Sequence, residues 1–305
     1  MEISLSNFNL KETFNLAFKT AILIVKLIIP LYIFADILFY FNILSKISFI
    51  FKPLTTIIHL PPESAIGLAS GIFFNIYAAI AFLAPLNLTP YQWTIIGVFL
   101  GIAHAIIVES AIMKKIGIPV FYSIGLRFIV GVIGALLVIF LPFKFSTATS
   151  VNTQIEAAKF NSFYEMITHS ISKATSLSVK IILLITVIVF VVNFLKSLPF
   201  IEKYQEKVST PFSIFVGLFL GITYGAGILI TEAKSGNMKK EDLFFVGTFL
   251  LIAHAIIEDP ALFIIFGANG FIMIGIRLIL AVIVSFLFTI LFKRFAGNPK
   301  LSGQK

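Results

Sequence analysis

His104, Glu109 and Arg127 recur as His254, Asp259 and Arg277, an imidazole, an acid and a guanidinium in the same order and at the same spacing. Imidazole changes charge near neutral pH and is a common metal ligand, so two such sets could relay protons or hold a cation or a polar solute. They sit in a duplicated stretch. GVFLGIAHAIIVE, from Gly97 to Glu109, returns as GTFLLIAHAIIED, from Gly247 to Asp259, with nine of thirteen positions identical. Glu258 stands beside Asp259 in the second copy. Asp36 and Asn75 are further polar residues in apolar stretches of the first half, and Tyr224 lies in a glycine-rich stretch of the second. These ten residues are the candidates for binding substrate or protons.

Helical geometry limits how they can meet. On an unbroken helix the histidine and its matched acid, five apart, point about 140° from each other, whereas His254 and Glu258, four apart, share a face. A break near Val108 to Ser110 would change this, and Pro260 at the position of Ser110, with Gly117 and Gly267 following, predicts one there. Each arginine lies eighteen residues beyond the acid, near the start of the next apolar stretch. A helical hairpin would therefore bring Glu109 to Arg127 and Asp259 to Arg277. Such pairs either serve a substrate or only neutralise each other and pin the turn. The local spacing matches no metalloprotease motif and the chain carries no GxSxG or HExxH signature, so neither an enzyme, a metal site nor a cofactor is expected.

The elements that must position these residues are membrane helices. Hydrophobic residues make up 59% of the 305 and charged ones 12%, with a mean hydropathy of +1.04. Soluble domains carry about 25% charged residues. A bilayer span takes about 20 apolar residues, and eight stretches qualify: 17–40, 64–86, 92–112, 119–142, 175–197, 211–232, 243–266 and 270–293. Long continuous runs rich in Phe, Ile and Leu read as helices, not as the short alternating segments of a barrel. The expected fold is an all-α polytopic membrane protein.

The duplication extends over most of the chain. Ile124 to Arg127 aligns with Ile274 to Arg277, and Gly67 and Gly71 align with Gly217 and Gly221. Nearer the N-terminus the offset changes slightly, so that Lys19 and Lys26 meet Lys173 and Lys180. This gives a first membrane repeat over 1–145, a polar linker and amphipathic segment over 146–174, and a second repeat with a basic tail over 175–305, about four apolar segments in each repeat. If all eight cross, the lysine distribution favours both termini in the cytoplasm. Loop charges also swap sides between the repeats: Lys114 and Lys115 follow the first motif, whereas Lys234, Lys239 and Lys240 precede the second. Inverted repeats with re-entrant or broken helices produce this pattern, and 64–86 and 211–232 are the natural places for breaks. Gly67/Gly71 and Gly217/Gly221 read equally well as small-residue packing faces. Parallel and inverted arrangements both stay open.

The formal charge of +9 comes from basic residues at the ends of apolar runs, which mark topology and not nucleic-acid binding. Cysteine is absent, excluding disulfides and thiolate metal sites. The first apolar run is too long for a cleavable signal peptide and is expected to remain as a helix.

In AHAIIVESAIMKKIG of the first half, and AHAIIEDPALFIIFGAN followed by GIRL in the second, the chain resembles the bacterial and archaeal nucleoside recognition, or Gate-domain, membrane proteins. The resemblance covers most of the sequence. Such modules are also seen in spore-maturation membrane proteins, concentrative nucleoside transporters and the membrane part of ferrous-iron permeases. It implies a permease-like protein and carries over to His104, Glu109, Arg127, His254, Glu258, Asp259 and Arg277. Pro260 departs from the small polar residue expected there, and the GTPase domain of the iron permeases is missing. The expected function is a secondary transporter of a small solute, possible coupling being to protons, with its site between the repeats. The alternatives are a divalent cation permease and a non-transporting scaffold. The expected setting is the inner (plasma) membrane, crossed several times, with a small-molecule or ion substrate, no nucleic acid, and a homo-oligomer left open.

Overall fold

A computed structural model of the protein describes residues 8–43, 52–142, 160–197, 210–221, 229–230 and 238–296, and all regular structure among them is helical. Residues 10–16 and 163–174, the polar stretches immediately before the first and fifth apolar runs, form the opening turns of the two longest described helices. Helix α1 (Leu10–Tyr40) starts at Asn9, whose side chain accepts the Glu12 amide at 3.1 Å. The short α2 (Lys52–Ile57) follows. Stretch 64–86 divides into α3 (Ala65–Phe73) and α4 (Ile76–Leu83). The duplicated motif of the first half lies on α5 (Pro90–Ala103) and α6 (Ile106–Lys114), and Arg127 lies on α7 (Val120–Phe140).

The second half begins with α8 (Phe163–Lys196), capped by Ser162, whose hydroxyl accepts the Glu165 amide. Helix α9 (Thr210–Leu220) ends at Gly221, and the rest of stretch 211–232 lies almost wholly outside the described residues. Then come α10 (Lys240–Ile252), α11 (Glu258–Ile264) and α12 (Gly270–Ala296). Five segments among the described residues are long and apolar enough to cross a membrane: Leu10–Tyr40, Pro90–Lys114, Val120–Phe140, Phe163–Lys196 and Gly270–Arg294. The protein is an all-α polytopic membrane protein.

Burial separates centre from rim. Every residue of α5 from Gln92 to Ala103 is buried, as are Val246 to Ile252 of α10. A helix apolar and buried all round belongs inside a bundle. By contrast α1, α8 and α12 expose Phe, Leu and Ile on their outer faces, as a lipid-facing surface requires.

Paired contacts fix the directions of the helices. Thr13 meets Asn193, and Asp36 meets Ser170, so α1 and α8 run antiparallel. Gly97 lies against Met273 and Gly101 against Arg277, so α5 and α12 run parallel. Phe244 stacks on Phe292 while Arg277 reaches the Ile252 carbonyl, which makes α10 antiparallel to α12 and hence to α5. Helices that occupy equivalent positions in the sequence repeat, α1 with α8 and α5 with α10, thus run in opposite directions. Opposite directions of this kind are what inverted repeats would produce.

Gly67 and Gly71 serve close packing: a Cβ on Gly67 would overlap Leu83, and one on Gly71 would crowd Leu100 and Ala79. The same stretch is also broken, at Phe74 and Asn75. In the first half the glycines thus pack closely within a segment that is also broken.

Candidate functional site

The helix break comes earlier than the sequence suggests. Instead of Val108 to Ser110, it falls at His104, which is extended, and Ala105, which is left-handed at φ 44°. The second copy breaks over Ala253 to Ile257, with Ala255 left-handed at φ 46°. A left-handed alanine costs about 1–2 kcal/mol, so tertiary bonds must hold it. The Ala105 amide donates to Gly71 O at 2.9 Å, and the Ile256 amide to Leu218 O at 2.9 Å, each tying a break to the preceding glycine-bearing helix.

Ending α5 and α10 inside the protein leaves carbonyls without intrahelical partners. The arginines supply the missing donors. Arg127 Nε donates to Ile102 O at 2.6 Å and its Nη2 to His104 O at 2.7 Å. Arg277 repeats this with Ile252 O at 3.3 Å and His254 O at 2.6 Å. A guanidinium at a helix C-terminus is also favoured by the helix dipole. Both side chains are fully buried, so neither snorkels.

The acids reach these arginines as the hairpin geometry predicts. Glu109 Oε2 is 2.7 Å from Arg127 Nη2, and Asp259 Oδ2 is 3.1 Å from Arg277 Nη1. The turns that allow it are matched: Gly117 at φ 91° and Gly267 at φ 87° follow α6 and α11. The Ile118 amide bonds Met113 O and the Ala268 amide bonds Phe263 O. This helix-ending motif needs a left-handed residue, which glycine adopts without strain.

The break changes what the histidines can do. Because α5 stops at His104 and α6 leaves in a new direction, the imidazole and Glu109 no longer diverge: Nε2 is 3.1 Å from Glu109 Oε1. The other carboxylate oxygen lies 3.3 Å from His254 Nε2, so one acid of the first half touches histidines of both halves. The two rings are 5.2 Å apart. Each Nδ1 faces a carbonyl one turn back, Leu100 O at 2.7 Å and Leu250 O at 2.8 Å. A carbonyl only accepts, so Nδ1 carries the hydrogen, and Nε2 is the atom that turns to Glu109.

Glu258 does not share a face with His254, because the break separates them. Its carboxylate instead accepts the Tyr77 hydroxyl of α4 at 3.1 Å. Tyr77 was not among the sequence candidates; its signal was its place two residues after Asn75 in an apolar stretch. Asn75 itself caps α4, accepting the Ala78 amide at 2.9 Å, which explains its polarity without a ligand. Asp36 lies between α1 and α8 and accepts the Ser170 hydroxyl at 2.6 Å, a helix-packing bond apart from the histidine cluster. Tyr224 lies outside the described residues. Ser110 bonds Ser123 at 2.7 Å, and the equivalent positions hold Pro260 and Met273, so both members of that pair have become apolar together.

Fold and site define a multi-pass membrane protein with a buried ionisable cluster where its two halves meet. The chain is 25% identical over 281 residues to the uncharacterized membrane protein YvoD of Bacillus subtilis (strain 168), covering 88% of this chain and 90% of that one. No family model matches the chain, and no solved structure matches it.

Proposed function

We propose that the protein is a permease of the plasma membrane, a secondary transporter that moves a small solute in exchange or symport with protons, and not an enzyme. The observation that carries this reading is the shared acid: Glu109 contacts His104 of its own half at 3.1 Å and His254 of the other at 3.3 Å. Ionisable side chains at membrane depth are costly and concentrate on transport pathways. Their location in paired helix breaks supports the reading further, since discontinuous helices at a repeat interface are the usual place for substrate and coupling ions. The antiparallel run of equivalent helices and the resemblance to the Gate-domain permeases point the same way.

The test is flux in reconstituted vesicles loaded with a pH-sensitive dye, with uridine and zinc ion added outside in turn. Wild-type protein should change internal pH when a transported probe is added, and His104→Ala or His254→Ala should abolish the change while keeping normal expression. Equal rates and pH dependence in wild type and both variants would overturn the reading and favour a scaffold.

A further inference from the structure

We propose that His104, His254 and Glu109 form a binding site for a divalent transition-metal cation, with the two imidazole Nε2 atoms and the Glu109 carboxylate as ligands. The proposal names a cargo class for the permease and rests on that reading for transport, though not for binding.

Three observations carry it. The first is distance. The donor atoms of these three buried residues all lie within 4.8 Å of one another. Metal–nitrogen and metal–oxygen bonds of about 2.0–2.2 Å place neighbouring ligands of a tetrahedral ion roughly 3.3–3.6 Å apart. The two nitrogen–carboxylate separations, 3.1 and 3.3 Å, are already near that edge length. They run to different oxygens of the carboxylate, so the ion would meet both oxygens and the imidazoles would draw together around it.

The second is orientation. Metal-bound histidines hold their other ring nitrogen on a carbonyl or carboxylate, which fixes the tautomer. Leu100 O and Leu250 O do this for both rings. Neutral imidazoles so held direct two lone pairs at a carboxylate that is itself an acceptor. Such a meeting of acceptors is repulsive until something positive lies among them. His254 Nε2 is buried and has no hydrogen-bond partner, although it faces Glu109 Oε2 at 3.3 Å, an oxygen whose near cation is Arg127 at 2.7 Å. A buried polar atom in that condition calls for an explanation, and an unplaced ion is one of the standard ones.

The third is charge. Arg127 and Arg277 each pair with one carboxylate, Glu109 and Asp259, and a third, Glu258, stands beside Asp259 and accepts the Tyr77 hydroxyl. With neutral histidines the formal sum is one negative charge, so a cation completes the site better than an anion would. Two nitrogens and a carboxylate, with no thiolate, suit Zn²⁺, Co²⁺ or Fe²⁺ over Ca²⁺ and Mg²⁺, which prefer all-oxygen cages. The ligands escape motif searches because two of them are separated by a whole repeat.

Purified protein carrying a tag without histidine, stripped of metal by chelator, would be titrated with Co²⁺ and read by visible absorption, with Zn²⁺ as competitor and elemental analysis for stoichiometry. One Zn²⁺ per chain is expected. His104→Ala, His254→Ala and Glu109→Gln should each weaken it by more than about 100-fold, since outer-shell partners alone are worth 10–100-fold. His59→Ala should change nothing. His254→Cys keeps a ligating atom in place, so it should retain Co²⁺ and add a sulfur charge-transfer band even if His254→Ala fails to fold. No bound metal in the wild type, or binding indifferent to His254→Ala and to His254→Cys, would overturn the proposal. Zn²⁺ bound in detergent without Zn²⁺ flux in vesicles would sustain the site and sink metal as cargo. Proton-coupled uridine flux without any bound metal would sink the metal site and sustain the permease reading.

Discussion

Arg127→Met is the most direct probe of why the broken helix is stable. Methionine matches the length of the arginine stem and removes only the guanidinium. That group is fully buried and serves three acceptors: Ile102 O at 2.6 Å, His104 O at 2.7 Å and Glu109 Oε2 at 2.7 Å. Breaking a buried ion pair by deleting one partner costs about 3–5 kcal/mol, because the other charge is left uncompensated. The two orphaned carbonyls can only add to this. A chain of this size loses roughly 2 °C of Tm per kcal/mol, so the expected drop is about 6–10 °C. The measurement is thermal unfolding in detergent at a fixed scan rate. The single tryptophan is a convenient probe: Trp93 is buried on α5 and stacks on Phe266 at 4.2 Å. The double variant Arg127→Met with Glu109→Gln should melt above Arg127→Met alone, since the stranded charge is gone. A single variant within about 2 °C of wild type, or a double variant as low as the sum of both singles, would show that the guanidinium does not hold the break.

The serine pair and the glycines give two further tests of packing. Ser110→Ala leaves the fully buried Ser123 hydroxyl without its 2.7 Å partner and should cost about 1–3 kcal/mol. Adding Ser123→Ala should recover most of it, and no recovery in the melting curve would refute the pairing. Gly67→Ala drives a methyl into the branch point of Leu83 and should cost about 1–3 kcal/mol. Gly125→Ala, with nothing within 4 Å of the new methyl, should be neutral or stabilise α7 by up to about 1 kcal/mol. Equal melting shifts for the two would contradict the close approach at Gly67.

How far the site was legible depended on how local its causes are. The all-α fold follows from long apolar runs, and the Arg–acid pairs follow from a hairpin whose reach is fixed by the glycine turns at Gly117 and Gly267. The position of the break does not follow in the same way. His104–Ala105 contains neither proline nor glycine, and alanine is the best helix former. What opens the helix there is non-local: Gly71 O takes the Ala105 amide and Arg127 takes the freed carbonyls. Asp36 shows the same limit, since the cost of a buried acid signals a partner without showing that the partner is Ser170 on another helix.

The repeat also implies equal roles for the two acids, and here one carbon atom decides otherwise. Glu109 is a methylene longer than Asp259, about 1.5 Å of extra reach. With it, Glu109 spans from Arg127 at 2.7 Å to both imidazoles at 3.1 and 3.3 Å. Asp259 stays on Arg277 at 3.1 Å, and Glu258 beside it turns to Tyr77 of the other half. The duplicated backbone builds two equivalent breaks, each with its own arginine and histidine. The side-chain lengths then place one carboxylate where both histidines converge, so the buried ionisable cluster is single and asymmetric although the helix breaks around it are paired.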